Sequence, residues 1–186
     1  MSIHRLSAPL TDEAIEKLQA VDRVLISGTV YTARDAAHKK LVELLEQGEP
    51  LPVDLQGQII YYVGPTPTKP GEIIGAAGPT TSGRMDSYTP QMLQVGVKAF
   101  IGKGARSQEV REALQAHKGV YLAAVGGAAA LIKESITACD VIAYKELGPE
   151  AMRKLEVEDF PVVVVNDIYG NDLYEQGVEA YKSKGV

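Results

Sequence analysis

Cysteine is almost absent from this sequence: Cys139 is the only one. A single thiol excludes an intrachain disulfide, and it cannot by itself hold an iron–sulfur cluster or a structural zinc ion. Long apolar runs are also missing. The longest uncharged stretches, Leu55–Thr68 and Gly119–Ile132, fall short of the roughly 20 residues a membrane helix needs, and glycine or polar residues interrupt both. The opening residues Met1–Leu6 lack the apolar core of a signal peptide, so a cytoplasmic, reducing location without membrane association is expected. Positive charge is not in excess. Nineteen Lys and Arg stand against 24 Asp and Glu, a net charge of −5, which argues against a nucleic-acid partner held on a basic face. A local basic pocket for a small anion stays open.

What is present fits an ordinary soluble protein: 186 residues, 45% apolar and 23% charged. A chain of this length removes roughly 70% of its unfolded surface on folding, enough for a core without staples. One domain over residues 1–186 is expected, with no internal repeat or low-complexity tract.

Short apolar runs mark strands at Ile3–Leu6, Val24–Tyr31 and Gln58–Val63. Thr11 is placed to cap a short helix, with Asp12 and Glu13 in its first turn and Ile15 and Leu18 facing inward. Asp35–Gln47 reads as a longer helix with Ala37, Leu41, Leu44 and Leu45 on one face and Gly48 as its stop. Three prolines stiffen Gly64–Gly71, and a short apolar run, Glu72–Ala77, is read as a strand. Beyond it the pattern alternates. Thr89-Pro90 starts a helix that Gly96 ends, followed by strand Val97–Ile101, helix Gln108–His117 capped by Ser107, strand Val120–Val125 and helix Ala128–Glu134. The spacing then predicts strand Asp140–Tyr144, a short helix Glu150–Lys154, the apolar run Val162–Val165, a turn at Tyr169-Gly170-Asn171 and a strand to Tyr174. The acidic Glu156–Asp159 reads as a solvated turn, and Cys139 as core. Strand–helix alternation in the back half implies an α/β fold, with a parallel or mixed sheet covered by helices.

Three glycine-flanked loops carry cations. Gly78-Pro-Thr-Thr-Ser-Gly-Arg-Met-Asp86 puts three hydroxyls and exposed backbone N–H groups beside Arg84, whose planar fork can grip a carboxylate with two parallel hydrogen bonds. A capped loop-to-helix junction would use the same hydroxyls on its own backbone. Ser27-Gly-Thr-Val-Tyr-Thr-Ala-Arg-Asp-Ala-Ala-His38 runs from strand into helix with Arg34 beside Asp35, and composition alone reads Asp35 as the helix cap and Arg34 as its solvated neighbour. His38, on the first turn, reads by itself as a surface or capping residue. Ile101-Gly-Lys-Gly104 exposes Lys103 between glycines in a basic stretch that also holds Lys98 and Arg106 without an acid. The spacing is not that of a Walker A loop, and Gly126-Gly127-Ala128-Ala129-Ala130 lacks the dinucleotide spacing, so it reads as close helix–strand packing. Arg34, Arg84 and Lys103 at strand ends of an acidic protein suggest a pocket for an anion with more than one carboxylate. Spacing does not choose a reaction.

Together with Val125-Gly-Gly-Ala-Ala-Ala130, Val157-Glu-Asp-Phe-Pro161 and Gly170-Asn-Asp172, these motifs resemble the β subunit of class I iron–sulfur fumarases and tartrate dehydratases, from about Leu6 to Tyr174. The resemblance implies a swivelling β/β/α domain that completes an active site on a larger α subunit. That partner would bind a [4Fe–4S] cluster, which agrees with the single cysteine here. It also implies reversible hydration of fumarate to (S)-malate, with tartrate dehydration as the alternative, in a hetero-oligomer such as α2β2. By motif, Arg34, Arg84 and Lys103 would hold the substrate carboxylates, Thr81 would help orient them, and Thr80 would be the base. An aliphatic hydroxyl is a very weak acid, so Thr80 as base demands local stabilisation of its alkoxide; positioning a water or relaying a proton is the other role open to it. His38 would support Arg34 from behind. No metal ligand is assigned to this chain. Two readings from other classes stand beside this one: a small-anion-binding domain without turnover, and an iron-independent enzyme complete in one chain.

Overall fold

A computed structural model describes residues 2–124 and 129–182, with the side chains of 129–131 excepted. Strands β1 (Ile3–Ser7), β2 (Arg23–Thr32), β3 (Ile59–Tyr61), β4 (Ala99–Gly102), β5 (Val120–Ala124), β6 (Ile136–Ala143) and β7 (Met152–Asn166) form one mixed sheet. Its order is β1-β2-β3-β4-β5-β7-β6, and β2 also pairs with β7. That extra pairing closes β2, β3, β4, β5 and β7 into a ring, with β1 and β6 flanking it. Strands β1 to β5 are mutually parallel, whereas β7 runs antiparallel to β2, β5 and β6. The α/β mixed-sheet expectation therefore holds, in a more closed form than an open doubly wound sheet.

Period-2 alternation explains why both faces are dry. Ile59, Tyr61, Ala99, Ile101, Val120 and Leu122 face the ring interior with Val24, Ile26, Leu155 and Phe160. Their neighbours Ile60, Tyr62, Phe100 and Tyr121 face outward. There they meet α2 (Asp35–Gln47) through Ala37 and Leu41, α3 (Thr89–Gln94) through Met92 and Leu93, and α4 (Gln108–Ala116) through Val110 and Leu114. Each fully buried Val, Leu, Ile, Phe or Met side chain among these contributes roughly 1.5–3 kcal/mol, so the two layers jointly hold the sheet. Thr11 caps α1 (Asp12–Ile15) by accepting from the Ala14 N–H, Ser107 caps α4 through the Val110 N–H, and Gly48 ends α2 in the left-handed region, as expected. Leu41 is buried on α2, while Leu44 and Leu45 are only half-buried.

Four expectations fail, each where a non-local contact or a backbone breaker overrides local pattern. Residues 72–77 form no strand: they fold back on the proline loop, where the Thr66 N–H bonds the Ala76 carbonyl and the Ala76 N–H bonds Thr66 Oγ1. No helix spans Glu150–Lys154. Gly148 (φ 57°) and Pro149 confine helical geometry to a 3₁₀ turn at Lys145–Glu150, and Met152 already begins the 15-residue β7. Glu156–Asp159 lies within β7 rather than in a turn; Val157 is buried against β2, and Asp159 alone of the four has a positive φ (49°). The turn around Gly170 is present, but it leads into α6 (Leu173–Lys182) rather than a strand, because Asp172 accepts from the Tyr174 and Glu175 N–H groups as a helix cap. Strand β6 begins earlier than expected, and Cys139 on it is half-buried against the inner core. The packing role read for Gly126–Ala130 falls on residues whose side chains lie outside the described set, although α5 (Ala129–Glu134) is present. Among the described residues no helix is long and apolar enough to cross a membrane.

Candidate anion-binding site

The carboxyl ends of β2, β3 and β4 meet at one rim of the ring, the place where parallel strands leave a ligand crevice. Chain segment 79–82 threads between two of those ends. Pro79 bridges Val63, the Thr80 N–H donates to the Tyr62 carbonyl (2.7 Å), the Lys103 N–H donates to the Thr80 carbonyl (3.3 Å), and the Ser82 N–H donates to the Lys103 carbonyl (2.9 Å). Backbone bonds thereby fix Thr80, Thr81 and Lys103 side by side. Gly102 is required at this crossing. A Cβ there would stand 1.9 Å from Ser82 Oγ, which instead bonds the Tyr121 hydroxyl (2.9 Å). Thr80 is half-buried, whereas Thr81, Arg84 and Lys103 are exposed.

Arg34 enters the same rim from the end of β2. It occupies the cap position of α2, and Asp35 is the first helical residue, so the cap read for Asp35 shifts by one. Arg34 is not a solvated neighbour either: its side chain is 22% exposed and lies against Gly64, where an added Cβ would be 2.5 Å from Nη1. Its Nε sits 3.4 Å from Glu150 Oε1 and 4.0 Å from Asp35 Oδ2, and makes no hydrogen bond. Arg84 Nε donates to the other oxygen of the same acid, Asp35 Oδ1, at 3.0 Å. Two of the three sequence-selected cations thus converge on one carboxylate. Lys103, the third, shares the backbone ladder with Thr80 and Thr81 and forms no salt bridge among the described residues.

His38 is fully buried, not a surface residue. Burial holds its imidazole at a pKa of about 4, so it is neutral near pH 7. Nδ1 lies 2.9 Å from the Arg34 carbonyl, which can only accept, so Nδ1 carries the proton and Nε2 is left unprotonated and unpartnered. The ring stacks on Tyr88 (5.8 Å, 20°) and meets Tyr62 edge-on (5.5 Å, 67°). It touches Arg34 only at that residue's backbone carbonyl among the hydrogen bonds described.

A fourth cation, Arg106, organises the floor, and sequence reasoning gave it no role. Its side chain is wholly buried. Nε donates to Asp86 Oδ1 (2.7 Å), Nη2 to Thr89 Oγ1 (2.6 Å) and Nη1 to the Tyr62 hydroxyl (3.3 Å). The guanidinium also lies over the Tyr121 and Tyr62 rings, at 4.9 and 5.3 Å. Asp86 completes the clamp by accepting from the Ser107 N–H (2.7 Å), which ties the end of the 78–86 loop to the 103–107 loop. Tyr121, its hydroxyl kept protonated by burial, donates to the Gly104 carbonyl. The only sequence hint was a basic stretch lacking an acid; the acid lies 20 residues upstream.

These contacts describe a cation-bearing rim tied together by backbone hydrogen bonds. A family model described as Fumarase C-terminus matches residues 2–177. The chain belongs to the fumarase C-terminus family. It is 46% identical over 156 residues to fumarate hydratase 2 of Leishmania major and 45% identical over 156 residues to the aerobic class I fumarate hydratase of Escherichia coli K12. Each match covers 83% of this chain but 28% of the relative, so this fumarase C-terminus unit spans less than a third of those enzymes. It is also 40% identical over 173 residues to a Methanocaldococcus jannaschii protein named as a candidate L(+)-tartrate dehydratase subunit beta, covering 90% of this chain and 89% of that one. The motifs that carried the resemblance thus lie in a match of nearly the whole chain.

Proposed function

We propose that this chain, acting as one unit over residues 1–186, is the β subunit of a two-chain iron–sulfur hydro-lyase that hydrates fumarate reversibly to (S)-malate. The observation carrying this reading is the convergence of Arg34 and Arg84 on one carboxylate at the rim that also bears Thr80, Thr81 and Lys103. Removing the proton next to a carboxylate builds negative charge on that carboxylate. Fixed guanidinium and ammonium groups stabilise the developing charge more than the ground state, which is what accelerates the step. Arg34, Arg84 and Lys103 are assigned to the substrate carboxylates, and Thr81 to their orientation. Thr80 is assigned to moving the proton, with Lys103 as the neighbouring cation that favours an alkoxide there.

A [4Fe–4S] cluster, expected for such enzymes, needs more thiolates than the single cysteine of this sequence offers. Burial raises the Cys139 thiol pKa, and among the described residues no group of three or more His, Cys, Asp or Glu side chains is placed to hold a metal ion. The proposal assigns the cluster to a companion α subunit, which would supply the part of the fumarate hydratases that this chain does not span. A cytoplasmic α2β2 hetero-oligomer is the assembly it envisages.

Tartrate dehydratase β subunit is the second reading, favoured by the relative of which the chain covers 89%. Co-purifying the chain with a cluster-bearing companion and assaying fumarate, malate and L(+)-tartrate tests both. Fumarate turnover by the pair alone supports the first reading, and a preference for tartrate supports the second. Binding of dicarboxylates without turnover of either substrate leaves the non-catalytic anion-binding domain. Turnover by this chain without iron would overturn the two-chain arrangement.

A further inference from the structure

Asp35 is the one acid that both rim arginines face. Its Oδ1 accepts from Arg84 Nε at 3.0 Å, and its buried Oδ2 lies 4.0 Å from Arg34 Nε without a hydrogen-bond partner of its own. Arg84 thus bonds Asp35 along its Nε edge, while Arg34 Nε faces the other carboxylate oxygen across 4.0 Å without a hydrogen bond and has Glu150 Oε1 closer, at 3.4 Å. Among the described residues no hydrogen bond engages the Nη groups of either arginine, so the two-pronged ends stay open to a ligand. Asp35 itself is anchored as the first residue of the 13-residue α2, next to a backbone that His38 holds through the Arg34 carbonyl. The Arg84 side chain is 54% exposed, and an ion pair that open adds little to stability. Its consequence is geometric: it removes freedom from a long side chain before the ligand arrives, a cost that binding would otherwise carry.

We infer that Asp35 is a positioning residue, fixing Arg84 along its Nε edge beside Arg34 so that together the two arginines receive the carboxylates of one small diacid. This rests on the reading of the rim as a dicarboxylate site and adds the group that aligns it. Charge alone points the other way. Deleting an anion beside Arg34 and Arg84 raises the local positive charge and, without a positioning effect, should tighten diacid binding.

The test is Asp35→Asn in the co-purified assembly, beside Asp35→Glu, which keeps the charge. Asp35→Asn is expected to raise KM about tenfold while kcat falls less, and to raise the inhibition constant of succinate, a non-reacting diacid, in parallel. Asp35→Glu recovers part of the loss, and both variants melt near the wild-type temperature. A KM and a succinate constant that stay unchanged or fall on Asp35→Asn overturn the inference. A second readout needs no turnover. In the full chain labelled with ¹⁵N-arginine, the Arg84 Nε–H signal should be protected from solvent exchange, and Asp35→Asn should abolish that protection. If the assembly turns over neither substrate, the functional reading fails while this signal still decides the role of Asp35; an Arg84 signal indifferent to Asp35 rejects it.

Discussion

Arg106 and Arg84 carry the same charge on neighbouring loops, yet their surroundings differ in every respect that matters. Arg106 is wholly buried, and its Nε, Nη1 and Nη2 all have partners: Asp86, Tyr62 and Thr89. Arg84 is more than half exposed and is engaged only along Nε, by Asp35. A buried cation must have its hydrogen bonds satisfied by the protein, because desolvation would otherwise exclude it. An exposed cation with open donors is not needed for folding, and its capacity is left for a ligand. The lower cation holds two loops together, and the upper ones are what those loops present.

That contrast breaks most sharply at Arg84. Arg84→Lys keeps the charge but loses the planar fork, and kcat/KM of the assembly should fall about 10²–10³-fold while the melting temperature stays put. Near-wild-type turnover would remove Arg84 from the site. Arg106→Met should do the reverse in kind. It deletes one partner of a buried ion pair, which costs roughly 3–5 kcal/mol, and should lower the melting temperature by about 10 °C at this chain length. A melting curve matching wild type would show that the floor does not depend on this clamp.

Linkage sharpens the same boundary, because His38 lies on the buried side of it. Its pKa is about 4 in the fold against 6.5 when exposed, so between those values the unfolded chain binds the proton that the folded chain rejects. The stability tied to neutral His38 is complete above pH ~6.5 and is lost as pH falls toward 4, by roughly 3 kcal/mol. Chemical denaturation of wild type and His38→Gln across this range should give a steeper acid slope for wild type. Equal slopes would place the titration elsewhere. The smallest expected effect is at Gly64→Ala. The new methyl meets the Arg34 guanidinium rather than backbone, so the side chain is displaced while the fold is kept. KM should rise a few-fold with little change in melting temperature, whereas a large destabilisation would mean that Arg34 cannot yield.

Much of this arrangement was legible in the sequence wherever the cause is local. The apolar run within Gln58–Val63, the Thr11 and Ser107 caps and the Gly48 stop depend on residues within a few positions, and the strand, caps and stop formed there as read. Arg34, Thr80, Thr81, Arg84 and Lys103 could be singled out because glycine and hydroxyl residues beside a cation are visible in a linear string. What escaped depends on distance along the chain. The pairing of β2 with β7 joins residues 23–32 to 153–163, and it turned an apparent acidic turn at Glu156–Asp159 into strand. Asp86 and Arg106 look like unrelated surface charges until folding places them 2.7 Å apart. Asp35 read as a cap because nothing near it in sequence announces Arg84, 49 residues away.

A structure of the two-chain assembly with bound succinate decides whether this rim receives the diacid. The diacid is expected at the rim, with one carboxylate on the Nη groups of Arg34 and Arg84, and Lys103 Nζ and Thr80 Oγ1 within about 3.5 Å of the ligand. A diacid held entirely by the companion, with Arg34 and Arg84 still facing only Asp35 and Glu150, would contradict it.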